Sequence, residues 1–221
     1  MNEIRTEKLS KTYYTPIGDV RSVVDLTLHI PGGTVFGFLG PNGAGKTTAM
    51  KMLVGLTEPS SGKITLAGGS PSDIAIRSRI GFMPEAPSFY LYLTGYEFLS
   101  FVAEIFQLPE KETRIRELIG QVDLIGKEHR QIRTYSKGML QRLGLAQALV
   151  GDPDILFLDE PLDGLDPLGR SDMKKIFLDI KSRGKTVFIN SHVLADMEEV
   201  CDSVGIIDKG SLLVHDTPKA V

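Results

Sequence analysis

The spacing of hydrophobic residues changes along the chain. In the first 40 residues it is typical of β-strands. Within residues 1–40, apolar and polar residues partly alternate over Arg21–Ile30, and a short apolar run follows at Thr34–Leu39. Alternation is typical of a half-buried strand and a continuous run of a buried one, so we expect short strands here. A glycine-rich loop comes next, and then a predicted helix over Lys46–Val54, which Gly55 ends.

The middle of the chain has the spacing of helices. From residue 87 to residue 150, apolar residues recur at intervals of three and four, as one face of a helix requires. Pro109 separates two predicted helices, and a third is predicted over Tyr135–Val150 with Ser136 as its N-cap. We therefore expect a mostly helical insert.

Strands that alternate with helices return after residue 150. The runs Ile155–Leu158 and Thr186–Ile189 are continuously apolar, as expected of parallel strands buried on both faces. Helices are predicted over Met173–Ile180 and Val193–Cys201. The other predicted strands are Ile64–Leu66, Ile80–Met83, and a final hairpin of Val204–Ile207 with Leu212–Val214. This order predicts an α/β fold with a mostly parallel sheet.

Composition and charge narrow the class of protein. The 221 residues carry a net charge of -3 and are 42% hydrophobic, which is typical of a globular domain and gives no reason to expect nucleic acid as a partner. The single cysteine excludes an internal disulfide. The uncharged stretch Leu26–Gly45 is as long as a membrane helix but contains six glycines and two prolines. The N-terminus lacks the apolar segment of a signal peptide, so we expect a soluble chain.

The strongest chemical motif lies between a predicted strand and a predicted helix, and it matches the pattern G-x-x-x-x-G-K-[ST]. Glycines let backbone N–H groups approach phosphate oxygens, and the helix N-terminus adds partial positive charge. We expect Lys46 to reach the β- and γ-phosphates of a nucleotide, Thr47 to bind Mg²⁺, and the adjacent Thr48 to contact the nucleotide. The motif consists of Gly40, Pro41, Asn42, Gly43, Ala44, Gly45, Lys46 and Thr47.

Two carboxylates follow the apolar run Ile155–Leu158. Ligand sites of α/β folds form at the carboxyl ends of strands, which is where Asp159 and Glu160 are placed. We expect Asp159 to hold Mg²⁺ through water. Glu160 is expected either to polarise the water that attacks the γ-phosphate or to take its proton.

With these motifs the chain resembles the nucleotide-binding subunit of an ATP-binding cassette (ABC) transporter over essentially its whole length. The family's signature segment, usually LSGGQ, corresponds to Tyr135–Met139. Ser136 and Gly138 match it, whereas Tyr135, Lys137 and Met139 depart from it and resemble a variant of exporter-type subunits. The resemblance implies a P-loop NTPase core with an N-terminal antiparallel β region. It also implies binding of ATP and Mg²⁺, and contact of the signature segment with the ATP of a second copy.

The resemblance also implies roles for single residues. His192 corresponds to the family's switch histidine, which hydrogen-bonds the γ-phosphate and the attacking water. Asp166 corresponds to the aspartate of the D-loop, which contacts the phosphate loop of the opposite copy. Glu85 stands in place of the family's Q-loop glutamine and would hold Mg²⁺ or a water, and Tyr13 corresponds to the aromatic residue that stacks on adenine.

For the whole chain the resemblance implies one ABC ATPase domain over residues 1–221. Its nucleotide-binding core would comprise residues 1–86 and 151–221, and residues 87–150 would form the helical subdomain with the signature segment. Two copies would meet head to tail around ATP and drive a separate transmembrane permease subunit, of export type, at the cytoplasmic face of the cell membrane. The apolar cluster from Phe89 to Phe98 is then either core of the insert or a groove for a helix of that partner.

Three other functions are weaker interpretations of the same sequence. A soluble ABC ATPase of DNA repair or translation would carry a long coiled coil or a second cassette, and neither is present in these residues. A GTPase would carry an N-K-x-D tetrapeptide, which is missing from them as well. A regulatory subunit without activity would not be expected to retain the full set of acids and the histidine.

Overall fold

The computed structural model describes residues 2–221 and arranges nine strands in two sheets. The strands are, in chain order, β1 (Ile4–Thr15), β2 (Gly18–Ile30), β3 (Val35–Leu39), β4 (Ser61–Leu66), β5 (Ile80–Met83), β6 (Ile155–Asp159), β7 (Thr186–Ser191), β8 (Ser203–Asp208) and β9 (Ser211–Asp216). The helices are α1 (Lys46–Leu53), α2 (Ile74–Arg77), α3 (Gly95–Ile105), α4 (Lys111–Gln121), α5 (Lys137–Leu149), α6 (Pro167–Ser182) and α7 (Leu194–Glu198). Two 3₁₀ turns cover Ile132–Thr134 and Pro218–Ala220.

The larger sheet has six strands in the order β5-β6-β7-β3-β8-β9, of which only β9 pairs antiparallel. The smaller sheet is antiparallel, in the order β2-β1-β4. Both observations confirm the predicted α/β class with an antiparallel N-terminal region. Because β6, β7 and β3 are adjacent and parallel, their carboxyl ends meet at one edge of the larger sheet.

Alternate residues of the central strands pack on opposite faces of the larger sheet. Val35, Leu156 and Ile189 join a core with the apolar faces of α3, α4, α5 and α6. Phe36 and Phe157 join a second core with α1 and the smaller sheet. Every residue of β3, β6 and β7 is therefore buried, as the continuous apolar runs predict.

Several predicted element bounds are wrong: the helix predicted over Val193–Cys201 spans only Leu194–Glu198, and two larger differences have a clear physical reason. The first strands are not short, since β1 and β2 span 12 and 13 residues. Their backbones stay paired from Ile4 with Ile30 to Thr15 with Gly18 at the tip of the hairpin. The side chains near this tip are largely exposed, so no alternation of apolar and polar residues marks the strands there. Helix α6 begins at Pro167 rather than Met173, because Asp166 caps it and proline fits a first helical position.

The predicted helical insert agrees with the structure in most respects. Helices α3 and α4 lie on either side of Pro109, and Ser136 is the N-cap of the third helix. That helix begins at Lys137, so Tyr135 precedes it instead of belonging to it. One hydrophobic cluster joins helices of the insert to α6 and β6, and the division at residues 87 and 150 remains a prediction. Along residues 2–221, no helix combines the length and apolar character needed to span a bilayer.

Candidate active site

The phosphate-loop residues connect β3 to α1 in a conformation that only glycine adopts easily. Gly43 and Gly45 have φ values of 82° and 108°. A Cβ on Gly45 would lie 2.2 Å from the carbonyl oxygen of Ser22, and one on Gly40 would lie 2.3 Å from that of Ile207. The loop is therefore seated directly on the backbones of β2 and β8, and its curvature depends on the missing side chains.

Lys46 begins α1 and extends back across this loop. Its Nζ donates hydrogen bonds to the carbonyl oxygens of Gly40 and Pro41, at 2.6 and 3.2 Å, and lies 3.6 Å from Glu160 Oε1. The side chain is 7% exposed, so its ammonium group is held at the floor of the loop. A cation fixed beside the N-terminus of a helix is suited to binding an anion.

The carboxyl ends of β6 and β7 bring the predicted acids and the histidine together. Asp159 is buried, and its Oδ1 accepts a hydrogen bond of 2.9 Å from Asn190 Nδ2. Glu160 has a φ of 48°, an uncommon conformation for a residue with a side chain, and its backbone N–H donates to the carbonyl oxygen of Asn190. His192 Nδ1 lies 3.0 Å from Glu160 Oε2. One carboxylate thus contacts both the histidine and the loop lysine.

A cavity of about 580 Å³ opens over these groups. Most of the predicted nucleotide contacts line it, namely Pro41, Asn42, Gly43, Gly45, Lys46, Thr47, Thr48, Glu85, Glu160 and His192. Gly40, Ala44 and Asp159 do not line the cavity. Gly40 is packed against Ile207, and Ala44 and Asp159 are buried. Tyr13 lies outside this lining, on β1, with Lys11 Nζ 5.2 Å from the centre of its ring.

Sequence reasoning missed two residues of the cavity wall. Ser22, on β2, forms a hydrogen bond of 2.8 Å with Thr48 Oγ1. Asp163, four residues after Asp159, is the other. Asp163 lies between Glu160 and Asp166 in the sequence, and this position could have indicated it. Nothing in the sequence near Ser22 indicates the site, because Ser22 reaches it only where β2 packs beside α1.

The signature residues do not line this cavity but lie against the D-loop of the same chain, and one of them, Lys137, contacts Asp163 of the cavity wall. Ser136 Oγ accepts a hydrogen bond from the Met139 N–H, and Lys137 Nζ donates to Asp163 Oδ2 at 2.9 Å. The Lys137 hydrogen bond holds the pKa of Asp163 below its usual value. A Cβ on Gly138 would be in ordinary contact with the side chain of Leu165, at 3.6 Å. Asp166 Oδ1 accepts from the Gly169 N–H and so caps α6.

The donors in this site fit a nucleotide that carries Mg²⁺. Within residues 2–221 no cluster of three or more His, Cys, Asp or Glu side chains could hold a metal by itself. In phosphate sites, Mg²⁺ is commonly bound by one or two carboxylates together with phosphate oxygens and water. Thr47, Glu85 and Asp159 offer hard oxygen donors of this kind, next to a glycine cradle at the start of a helix.

Comparison with known sequences agrees with this site. The chain matches the family described as ABC transporter over residues 23–163, which is more than half of its length. An uncharacterized ABC transporter ATP-binding protein of Synechocystis sp. is 45% identical over 220 residues, which cover 96% of this chain and 62% of that protein. A fluoroquinolones export ATP-binding protein of Mycobacterium tuberculosis is 37% identical over 209 residues, which cover 94% of this chain and 69% of that protein. The chain thus spans less than two thirds of the Synechocystis relative.

A solved structure leads to the same family. The structure of cbiO1 from Clostridium perfringens, described as part of the ABC transporter complex cbiONQ, is 28% identical with a TM-score of 0.87. The alignment covers 98% of this chain and 89% of that chain. The family match and these relatives, together with the phosphate loop and the acidic strand end, show that the chain belongs to the ABC transporter family of ATP-binding proteins.

Proposed function

We propose that this chain binds and hydrolyses ATP and thereby powers export by a separate membrane-spanning partner. The observation that carries the proposal is the convergence of Lys46, Glu160 and His192 on one cavity, with Glu160 in contact with both other side chains. A phosphate-binding cation, a base and a group that can orient the base are the parts that phosphoryl transfer to water requires.

ATP would be bound by the loop from Gly40 to Thr48. The backbone N–H groups of the first turn of α1 have no acceptor within the helix and are free to bind phosphate oxygens. Lys46 would exchange its contacts with the Gly40 and Pro41 carbonyl oxygens for the β- and γ-phosphates, which carry full negative charge. When bound, Mg²⁺ would neutralise phosphate charge, held by Thr47, Asp159 and Glu85. Tyr13 would stack on the adenine ring beyond the cavity.

Hydrolysis would depend on Glu160 and His192. Glu160 would accept the proton of the attacking water, and His192 would orient the carboxylate through the contact of 3.0 Å that already exists. The other histidine nitrogen would then be free to hydrogen-bond the γ-phosphate.

The signature residues would act on the ATP of a second copy. Ser136, Lys137, Gly138 and Met139 surround the start of α5, which is a helix N-terminus with an added lysine, and they do not line the cavity of their own chain. A head-to-tail pair would place this anion site over the partner's nucleotide, with Asp166 at the contact. This arrangement would make each of two sites depend on both chains.

The membrane partner would bind to the helical insert. A cavity of about 450 Å³, lined largely by aromatic residues such as Phe89, Tyr90 and Phe101, opens on this part of the chain. It has the apolar character that a helix of a partner requires. The export relative in Mycobacterium and the transporter complex of the Clostridium structure support a permease partner. Such a partner would hold the chain at the cytoplasmic face of the membrane.

Nucleotide binding by the Lys46→Ala variant tests the proposal at its first step. Removal of a charge-assisted contact with phosphate should weaken ATP binding about 10- to 100-fold, as measured by isothermal titration calorimetry. Lys51→Ala is the matched control, because Lys51 is an exposed lysine of the same helix. Equal ATP affinity in Lys46→Ala and the wild type would overturn the assignment of the phosphate loop.

A further inference from the structure

Asn190 holds both acidic residues of the site, although no role follows for it from the sequence. It lies on β7, two residues before His192, and is fully buried. Its Nδ2 donates to Asp159 Oδ1 at 2.9 Å, and its backbone carbonyl oxygen accepts the Glu160 N–H at 3.1 Å. One residue of β7 therefore fixes the side chain of Asp159 and the backbone of Glu160.

The side chain of Asn190 is not fully satisfied. Its Oδ1 has no hydrogen-bond partner among residues 2–221, although it is buried. The orientation of the amide follows from Asp159, because a carboxylate only accepts and so requires the NH₂ group to face it. A buried amide oxygen without a partner lowers stability, because it loses its hydrogen bonds to water. The amide oxygen therefore adds nothing to the fold, and the side chain contributes through its NH₂ group, which faces Asp159.

A second buried polar residue of the same strand shows the opposite behaviour. Thr186 begins β7, and its Oγ1 donates to the carbonyl oxygen of Asn2 at 2.6 Å and accepts the Gly33 N–H at 2.9 Å. Its hydroxyl group thus joins three segments of the chain. Burial within β7 does not by itself leave a polar group unsatisfied, and the unpartnered oxygen is specific to the end of the strand beside Asp159.

We propose that Asn190 is a positioning residue for the metal-binding carboxylate, an inference that rests on the proposed function. Its amide binds Asp159 Oδ1, so that the carboxylate is held in one orientation and Asp159 Oδ2 is left for Mg²⁺. Groups that hydrogen-bond a metal ligand orient it, and their removal commonly weakens metal affinity about 10- to 100-fold. Asn190 Nδ2 also lies 3.7 Å from the Met50 sulfur of α1, but neither residue lines the cavity. We therefore expect Asn190 to add little to nucleotide binding without metal.

The test uses Asn190→Leu in the full chain, with Thr186→Val as the matched control. Mn²⁺ binding is measured by electron paramagnetic resonance in the presence of the non-hydrolysable analogue AMP-PNP, and AMP-PNP affinity is measured separately in EDTA. We expect Asn190→Leu to bind Mn²⁺ about 10- to 100-fold more weakly, with unchanged AMP-PNP affinity in EDTA. Its thermal midpoint without ligands reports two opposing changes, because the unpartnered oxygen is gone but the buried Asp159 Oδ1 loses its donor. Thr186→Val should leave Mn²⁺ affinity unchanged and lower the midpoint.

Several results would contradict this inference. Unchanged Mn²⁺ affinity in folded Asn190→Leu would overturn it, and so would a loss of AMP-PNP affinity in EDTA as large as the loss of Mn²⁺ affinity. If Asn190→Leu does not fold, Asn190→Ser provides the same comparison, since its shorter side chain leaves Asp159 Oδ1 without the amide. A wild-type chain that binds neither AMP-PNP nor Mn²⁺ would overturn the proposed function itself, which distinguishes the two failures.

Discussion

Buried polar groups are hydrogen-bonded to different extents at the two ends of the central strands β6 and β7. At the amino end, Thr186 makes two hydrogen bonds, and Asp154 is paired with Arg79 and contacts Asn2. At the carboxyl end, Asn190 Oδ1 has no partner within the described residues. Both ends are rich in polar residues, so composition does not distinguish them.

The difference indicates that the carboxyl ends of these strands carry a functional site at some cost in stability. Where buried polar groups are fully paired, they connect segments of the chain, as Thr186 connects β7 to Asn2 and Gly33. A buried polar atom without a partner persists only where the surrounding structure enforces it, and such atoms often mark functional sites. Substitutions at the amino end should therefore change stability, and substitutions at the carboxyl end should change activity.

The largest expected effect is that of Glu160→Gln on turnover. Glutamine preserves the shape of the side chain but cannot accept a proton, so ATP hydrolysis should fall by about 10²- to 10⁴-fold. ATP binding and the thermal midpoint should stay close to those of the wild type, and an ATP-bound dimer should accumulate. A phosphate-release assay and size-exclusion chromatography measure these quantities. Glu198→Gln is the control because Glu198 is exposed, and near wild-type turnover in Glu160→Gln would remove Glu160 from the base role.

Thr186→Val should give the next largest effect, on stability alone. The substitution preserves shape but leaves the Gly33 N–H and the Asn2 carbonyl oxygen without their hydroxyl partner. We expect the free energy of unfolding in urea to fall by about 1–3 kcal/mol, with unchanged ATP turnover per folded molecule. A large loss of turnover at full stability would show that the two ends of the strands do not differ as described.

Sequence alone predicts the parts of this site that are contiguous in the chain. The loop from Gly40 to Thr47 has its spacing, its strand and its helix within one short segment, and Asp159 and Glu160 directly follow an apolar run. The pattern also predicts the α/β class, because buried parallel strands have continuous apolar runs.

The rest depends on contacts between distant elements. Ser22 reaches Thr48 only because β2 packs beside α1, and Asn190 reaches Asp159 only because β6 and β7 are neighbours in the sheet. No periodicity carries that information. The start of α6 is a different case, because an aspartate followed by proline is itself a helix-start signal. Apolar spacing alone places the start later, at Met173.

Ser22→Ala should have a moderate effect on nucleotide affinity. The loss of the 2.8 Å hydrogen bond to Thr48 should weaken ATP binding by about two- to tenfold, which corresponds to about 0.5–1.5 kcal/mol. Calorimetric affinities of Ser22→Ala, Thr48→Val and the double variant form a mutant cycle that isolates this contact. Strictly additive effects of the two substitutions would show that Ser22 does not act through Thr48.

The smallest expected effect concerns the ion pair between Lys137 and Asp163. Both side chains are about half exposed, so the pair should stabilise the fold by at most about 0.5 kcal/mol, and less in high salt. The Lys137 hydrogen bond lowers the pKa of Asp163, so its stabilising contribution is present above the unfolded-state pKa and is lost as pH falls through the folded-state pKa.

Urea unfolding of the wild type and Asp163→Asn, from neutral pH into acid, measures the contribution of this ion pair to the free energy of unfolding. The stability difference should be small and constant at neutral pH and should shrink in acid as the Asp163 carboxylate is protonated. A difference that grew in acid would contradict the lowered pKa. A difference well above 1 kcal/mol at neutral pH would contradict the contrast between the two ends of the strands. A residue of the cavity wall would then stabilise the fold as much as Thr186 does at the amino end.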